Sequence, residues 1–127
     1  MFVSSDEVRA RYSARPLFAR FDPRCFDDYL DAGLVPVRDD GVTLSYPKAW
    51  EVRIFETTPV DAWAFPPLLR VPTLVLRGGR TDTFLPGAAA RFRTLCPSAV
   101  VEDLPGATHL LPMERPDEVA GRILEFV

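Results

Sequence analysis

Two apolar runs, VPTLVLRGG (71–79) and SAVVEDLPG (98–106), flank a single helix-length segment, and this spacing constrains the fold more than any other feature of the chain. The first run is nearly continuous in apolar character and ends in glycines, the pattern of a strand covered on both faces rather than on one. The segment between them, LPGAAARFRTLCP, reads as a helix that turns Phe92, Leu95 and Cys96 inward and stops at Pro97. After the second run, RPDEVAGRILEFV reads as an amphipathic terminal helix whose buried stripe is Val119, Ile123, Phe126 and Val127. Strand, helix, strand and helix in that order predict an α/β unit. Its two strands run parallel, are joined right-handedly and end at the same sheet edge.

The preceding residues, 1 to about 66, have a different texture. Asp6 to Arg15 reads as a polar, arginine-rich helix. Asp22 followed by Pro23 is an N-cap and a first-turn proline, opening a helix over 23–32 that Gly33 ends. Cys25, Phe26, Tyr29 and Leu30 share one side of it. LVPVRDDGVTLS predicts a hairpin or wide turn around Asp39, Asp40 and Gly41. Pro47 then starts a helix over KAWEVRIFET, with Trp50, Ile54 and Phe55 on one side. TPVDAWAFPPLLR, rich in proline and aromatics, reads as a connection between layers.

At 127 residues there is enough chain for one core and not for two. A net charge of -3 argues against a nucleic-acid partner, which needs a basic patch or stripe. The N-terminus lacks the basic-then-apolar order of a signal peptide, and no apolar run reaches bilayer-spanning length, so a soluble cytoplasmic chain without a membrane partner is expected. Cys25 and Cys96 form no C-x-x-C pair and read as reduced and structural. One histidine without clustered cysteines or carboxylates cannot build a metal's ligand shell, and neither metal nor organic cofactor is implied.

In an open parallel sheet, ligands sit beyond the carboxyl ends of the strands. Two loops leave that edge: RGGRTDTF, with Asp82, and PGATH, with His109, the only histidine in the chain. Alone, His109 reads as a loop histidine bonded to a carbonyl, and Asp82 as a turn residue. Adjacent strands would instead bring the two together, and a carboxylate that accepts from one ring N–H fixes the tautomer a general base needs. Glu114 and Arg115 read as a solvated first helical turn, and Asp117 and Glu118 as favouring the helix N-terminus. Glu102 and Asp103 belong to the second strand and a solvated edge.

Together, VPTLVLRGGRTDTF, the intervening helix and PGATHLLPMERPDEVA resemble the C-terminal end of an α/β-hydrolase over about the last 57 residues. The resemblance implies a strand-helix-strand-helix part of a larger parallel sheet (67–127), with an incomplete core, behind a mainly helical, cap-like segment (1–66). It places Asp82 at the triad-acid position and His109 at the triad-histidine position. Trp50, Phe55, Trp63 and Phe65 read first as core aromatics. In a cap they would line the substrate side.

The family's order is nucleophile, acid, histidine. Ser4, Ser5, Ser13 and Ser45 precede Asp82, but none lies in a G-x-S-x-G elbow, and the oxyanion donors are missing as well. The expectation is therefore a C-terminal part of a serine-type hydrolase for an ester, amide or related small-molecule substrate, inactive without the missing part. Two other readings stay open. One is a non-catalytic interaction module or half-enzyme that pairs or self-associates through an open sheet edge. The other is part of a dehalogenase or epoxide hydrolase of the same fold.

Overall fold

Proline sets where the helices begin, because a fixed φ suits the first helical turn and the missing N–H has no intrahelical acceptor there. Pro23, Pro86, Pro112 and Pro116 all stand in a first turn. The structure, a computed structural model, describes residues 2–38 and 41–127. It forms two compact units, Met1–Thr58 and Pro59–Val127, each with its own small core, where length alone favours one core.

The first unit opens with α1 (Ser5–Ser13), capped by the Ser4 side chain, which accepts from the Glu7 N–H. Glu7 in turn accepts from the Val3 N–H at 2.8 Å. Helix α2 (Pro23–Gly33) starts as its sequence dictates, with the Asp22 carboxylate accepting from the Arg24 N–H. The side chain of Arg24 also bonds that carboxylate and holds its pKa below the ordinary value. Strands β1 (Leu34–Pro36) and β2 (Val42–Leu44) pair antiparallel, with Val35 opposite Thr43. The turn residues Asp39 and Asp40 lie outside the described residues. Helix α3 (Lys48–Glu56) follows.

Packing in this unit is aromatic around Phe18, whose ring stacks on Tyr12 at 4.8 Å and meets Phe21, Phe26 and Tyr29. Val8 and Leu30 are its buried aliphatic residues. Burial among these rings raises the pKa of Tyr29 above the usual phenol value. The apolar side of α3 is not core. Trp50, Ile54 and Phe55 are 65%, 59% and 75% exposed.

In the second unit, two short 3-10 turns (62–64 and 66–68) precede β3 (Leu74–Gly78). The boundary between the two compact units falls between Thr58 and Pro59. Then come α4 (Pro86–Leu95), β4 (Val100–Leu104), α5 (Leu111–Glu114) and α6 (Pro116–Phe126). Strands β3 and β4 are parallel neighbours, with Leu74 opposite Val100 and Gly78 opposite Leu104. Leu104, Ala107, Leu111 and Val119 form the core, and Leu76 packs against it.

The stripe expected on α6 is buried only in part. Val119 is buried, whereas Ile123 and Val127 are exposed. Paired strands lie about 4.8 Å apart, so a two-stranded sheet is too narrow to cover a helix of this length. Glu114 also departs from expectation, since it ends the separate helix α5 and bonds the loop before it.

Candidate active site

The strand register brings the last residues of β3 and β4 level, so the loops after them leave one edge together. Backbone bonds then join the loops. The Gly79 N–H donates to the Leu104 carbonyl and the Arg80 N–H to the Ala107 carbonyl, both at 2.8 Å. Such close approach requires glycine at the end of β3. A Cβ on Gly78 would lie 2.1 Å from the Thr108 carbonyl oxygen and 2.6 Å from that of Ala107. Gly106, at φ +80°, takes a left-handed backbone conformation in the second loop that glycine adopts without strain.

The loop carrying Asp82 is shaped from beneath. The buried Thr81 hydroxyl accepts from the Thr83 and Phe84 N–H groups, a local turn that leaves the Asp82 side chain 83% exposed. Arg77, 5% exposed, donates from Nε to the Phe84 carbonyl at 2.7 Å and from a terminal nitrogen to Asp103 at 3.0 Å. One buried guanidinium therefore fastens the Asp82 loop to β4.

The loop carrying His109 is fastened by Glu114. The Thr108 N–H donates to Glu114 Oε2 at 3.0 Å and the Thr108 hydroxyl to Oε1 at 2.7 Å. That hydroxyl also accepts from the Leu110 N–H, so the backbone on both sides of His109 is held.

Asp82 and His109 meet between these supports. Nδ1 of His109 lies 3.0 Å from Oδ1 of Asp82. A neutral ring that donates from Nδ1 keeps Nε2 as an acceptor, and a protonated ring gains a charge-assisted bond. His109 also lines a pocket of about 260 Å³ with Leu76, Arg77, Gly78, Thr81, Thr83, Phe84 and Leu111.

The aromatics chosen from sequence are divided between the two units. Trp50 and Phe55 are exposed on α3 in the first unit. Trp63 lies under the Arg91 guanidinium, 4.4 Å from ring centroid to Cζ, and Phe65 is exposed. Phe84 walls the His109 pocket, set edge-on to Phe92 at 6.4 Å. Sequence reasoning missed Phe84, Arg77, Thr108 and Glu114. The available signal was their position one to five residues from Asp82 or His109.

The second unit contains one serine, Ser98. It precedes β4, at the amino end of the strand, and its hydroxyl lies 3.7 Å from Cys96 Sγ. It is therefore at the opposite end of the sheet from His109. Among the described residues no group of three or more His, Cys, Asp or Glu side chains is placed to hold a metal ion, and both cysteines are free. Among the described residues, no helix is long and apolar enough to cross a membrane.

The fold recurs in solved structures. E-2-(acetamidomethylene)succinate hydrolase matches 99% of this chain at 21% identity and a TM-score of 0.87. The peroxisomal alpha-beta-hydrolase Lpx1 from Saccharomyces cerevisiae matches 98% at 17% identity and a TM-score of 0.81. The thioesterase domain from the curacin biosynthetic pathway matches 98% at 17% identity and a TM-score of 0.73. This chain spans only 46%, 33% and 43% of those chains, respectively. No curated protein matches the sequence. The family model described as the alpha/beta hydrolase family matches residues 2–122, and the chain belongs to that family.

Proposed function

We propose that His109 is the general base and Asp82 its orienting acid in a serine-type hydrolase of an ester, amide or related small acyl substrate, with the nucleophile supplied from outside these 127 residues. The observation that carries this reading is the 3.0 Å contact between His109 Nδ1 and Asp82 Oδ1 at the carboxyl edge of a parallel sheet. In this role Nε2 accepts the nucleophile's proton and later returns it to the leaving group, while Asp82 holds the ring and stabilises the imidazolium. The similar hydrolase and thioesterase structures favour acyl transfer over the dehalogenase and epoxide hydrolase readings. Residues 1–66 are then the back of a cap, and Trp50, Phe55, Trp63 and Phe65 face substrate once the enzyme is whole. The two free cysteines agree with a cytoplasmic setting.

Removing the nucleophile removes the covalent route, so the 127-residue chain by itself has no hydrolase activity. An organophosphonate probe tests this, since stable labelling of the purified chain would overturn the absent-nucleophile reading.

A second reading rests on the sheet itself. With only β3 and β4 in it, each strand has one edge without a strand neighbour among the described residues. Such edges favour pairing with another chain, either a second copy or the missing half of the enzyme. A monomer by light scattering at every concentration tried would count against self-association.

A further inference from the structure

The first unit holds a pocket of about 390 Å³ whose lining includes Phe2, Arg11, Tyr12, Arg15, Thr43 and Lys48. Three cations meet there and no carboxylate lines it. Neighbouring arginines of the same unit behave differently, Arg9 pairing with Asp27 and Arg24 with Asp22. Among the described residues, Arg11, Arg15 and Lys48 have no acidic partner. Instead each guanidinium lies over a ring. Arg11 Cζ is 5.7 Å from the Phe2 centroid, and Arg15 Cζ is 5.6 Å from that of Tyr12. Such contacts fix a guanidinium in place while leaving its N–H donors free to bind an anion.

Two further features are unfavourable in an empty pocket. Lys48, the only lysine in the chain, is the first residue of α3, where the helix dipole opposes a positive charge. The three cations also repel one another, in a chain whose net charge is -3. A bound anion would relieve both. The volume suits an organic molecule rather than a bare ion. Phe2 is held at the site because it pairs with Val42 beside β2 through two backbone bonds of 2.8 and 2.9 Å.

We propose that this pocket binds an organic oxyanion, a phosphate ester or a carboxylate, gripped by Arg11, Arg15 and Lys48 against the apolar wall of Phe2. The site is separate from the reading of His109 and stands or falls independently of it.

Calorimetric titration of the full 127-residue chain with phenyl phosphate and with phenylsuccinate tests the proposal and distinguishes the two oxyanions. Binding of either one, weakened about tenfold or more by Arg11→Gln combined with Lys48→Gln, is the expected result. The substituted side chains are exposed, and far-UV circular dichroism checks the fold of the variant. If the variant unfolds, the unaltered chain still decides the matter. With Lys48 carbon-13 dimethylated, its side-chain signal is unique and must shift as ligand is added. Failure of both anions to bind at millimolar concentration would overturn the proposal. Equal binding of benzyl alcohol, or an unmoved Lys48 signal, would overturn it too.

Discussion

Glu114 binds Thr108 twice, accepting its backbone N–H at 3.0 Å and its hydroxyl at 2.7 Å, and Thr108 is the residue before His109. A side chain from α5 thereby sets the backbone from which the imidazole departs. Glu114→Ala leaves a half-buried N–H and a hydroxyl without their acceptor, an expected loss of about 1–3 kcal/mol in a urea titration. Thr108→Val keeps the backbone bond and should cost less. Equal stability of Glu114→Ala and the parent chain would remove Glu114 from this role.

Asp82→Ala should redistribute the proton on the His109 ring. With the carboxylate present, donation from Nδ1 is favoured, and without it the Nε2–H form gains. The ring nitrogen-15 shifts report this without ambiguity, because the chain has a single histidine. An unchanged tautomer ratio would mean that the 3.0 Å contact does not orient the ring.

Glycine substitutions separate close approach from mere flexibility. Gly78→Ala places a methyl 2.1 Å from the Thr108 carbonyl oxygen, and the loop bearing His109 must move. Overpacking against backbone should cost about 3 kcal/mol, and the Nδ1 contact should be lost with it. Gly121→Ala within α6 meets nothing within 4 Å and should stabilise by about 0.5–1 kcal/mol. Thermal unfolding of the two variants should therefore shift in opposite directions.

Arg77→Met removes the buried donor that holds the Phe84 carbonyl and Asp103. A destabilisation of about 1–3 kcal/mol is expected. Lysine should restore little, because a point charge on a flexible stem does not reproduce the planar fork that reaches both acceptors. Full rescue by Arg77→Lys in a denaturant titration would contradict this.

The pH dependence of α2 follows from Asp22, whose carboxyl pKa is lowered chiefly by the Arg24 side chain. A depressed folded-state pKa means that the carboxylate's contribution is complete above the unfolded-state pKa. It fades as pH falls through the folded-state value. Asp22→Asn keeps a capping oxygen and should remove that acid-range component. Circular dichroism of both chains down the acid range checks it, and identical profiles would refute the assignment.

Much of this molecule is legible in local chemistry. Asp22-Pro23 starts a helix because a short carboxylate caps and a proline pre-sets φ. VPTLVLRGG and SAVVEDLPG become parallel neighbours because two apolar runs with one helix between them have few other ways to bury themselves. The shared edge of those strands makes Asp82 and His109 neighbours, and they stand 3.0 Å apart.

Other features depended on contacts that no periodicity encodes. The apolar spacing of Trp50, Ile54 and Phe55 resembles that of a core helix, yet all three are exposed, since pattern shows that a face is apolar and not what covers it. Ile123 and Val127 fall outside the core for the same reason, the sheet beneath α6 having only two strands. Glu114 looks in sequence like any acid near a helix start, and only the fold of the loop brings Thr108 within its reach. Arg77 occupies a strand position where an apolar residue is expected, and the partners that satisfy its buried charge, Phe84 and Asp103, lie 7 and 26 residues away. The sequence by itself determined the order of elements and the edge at which Asp82 and His109 emerge, because caps, turns and apolar runs act locally. Only the tertiary structure decided which side chains hold them there, because those bonds form between residues that the folded chain alone brings together.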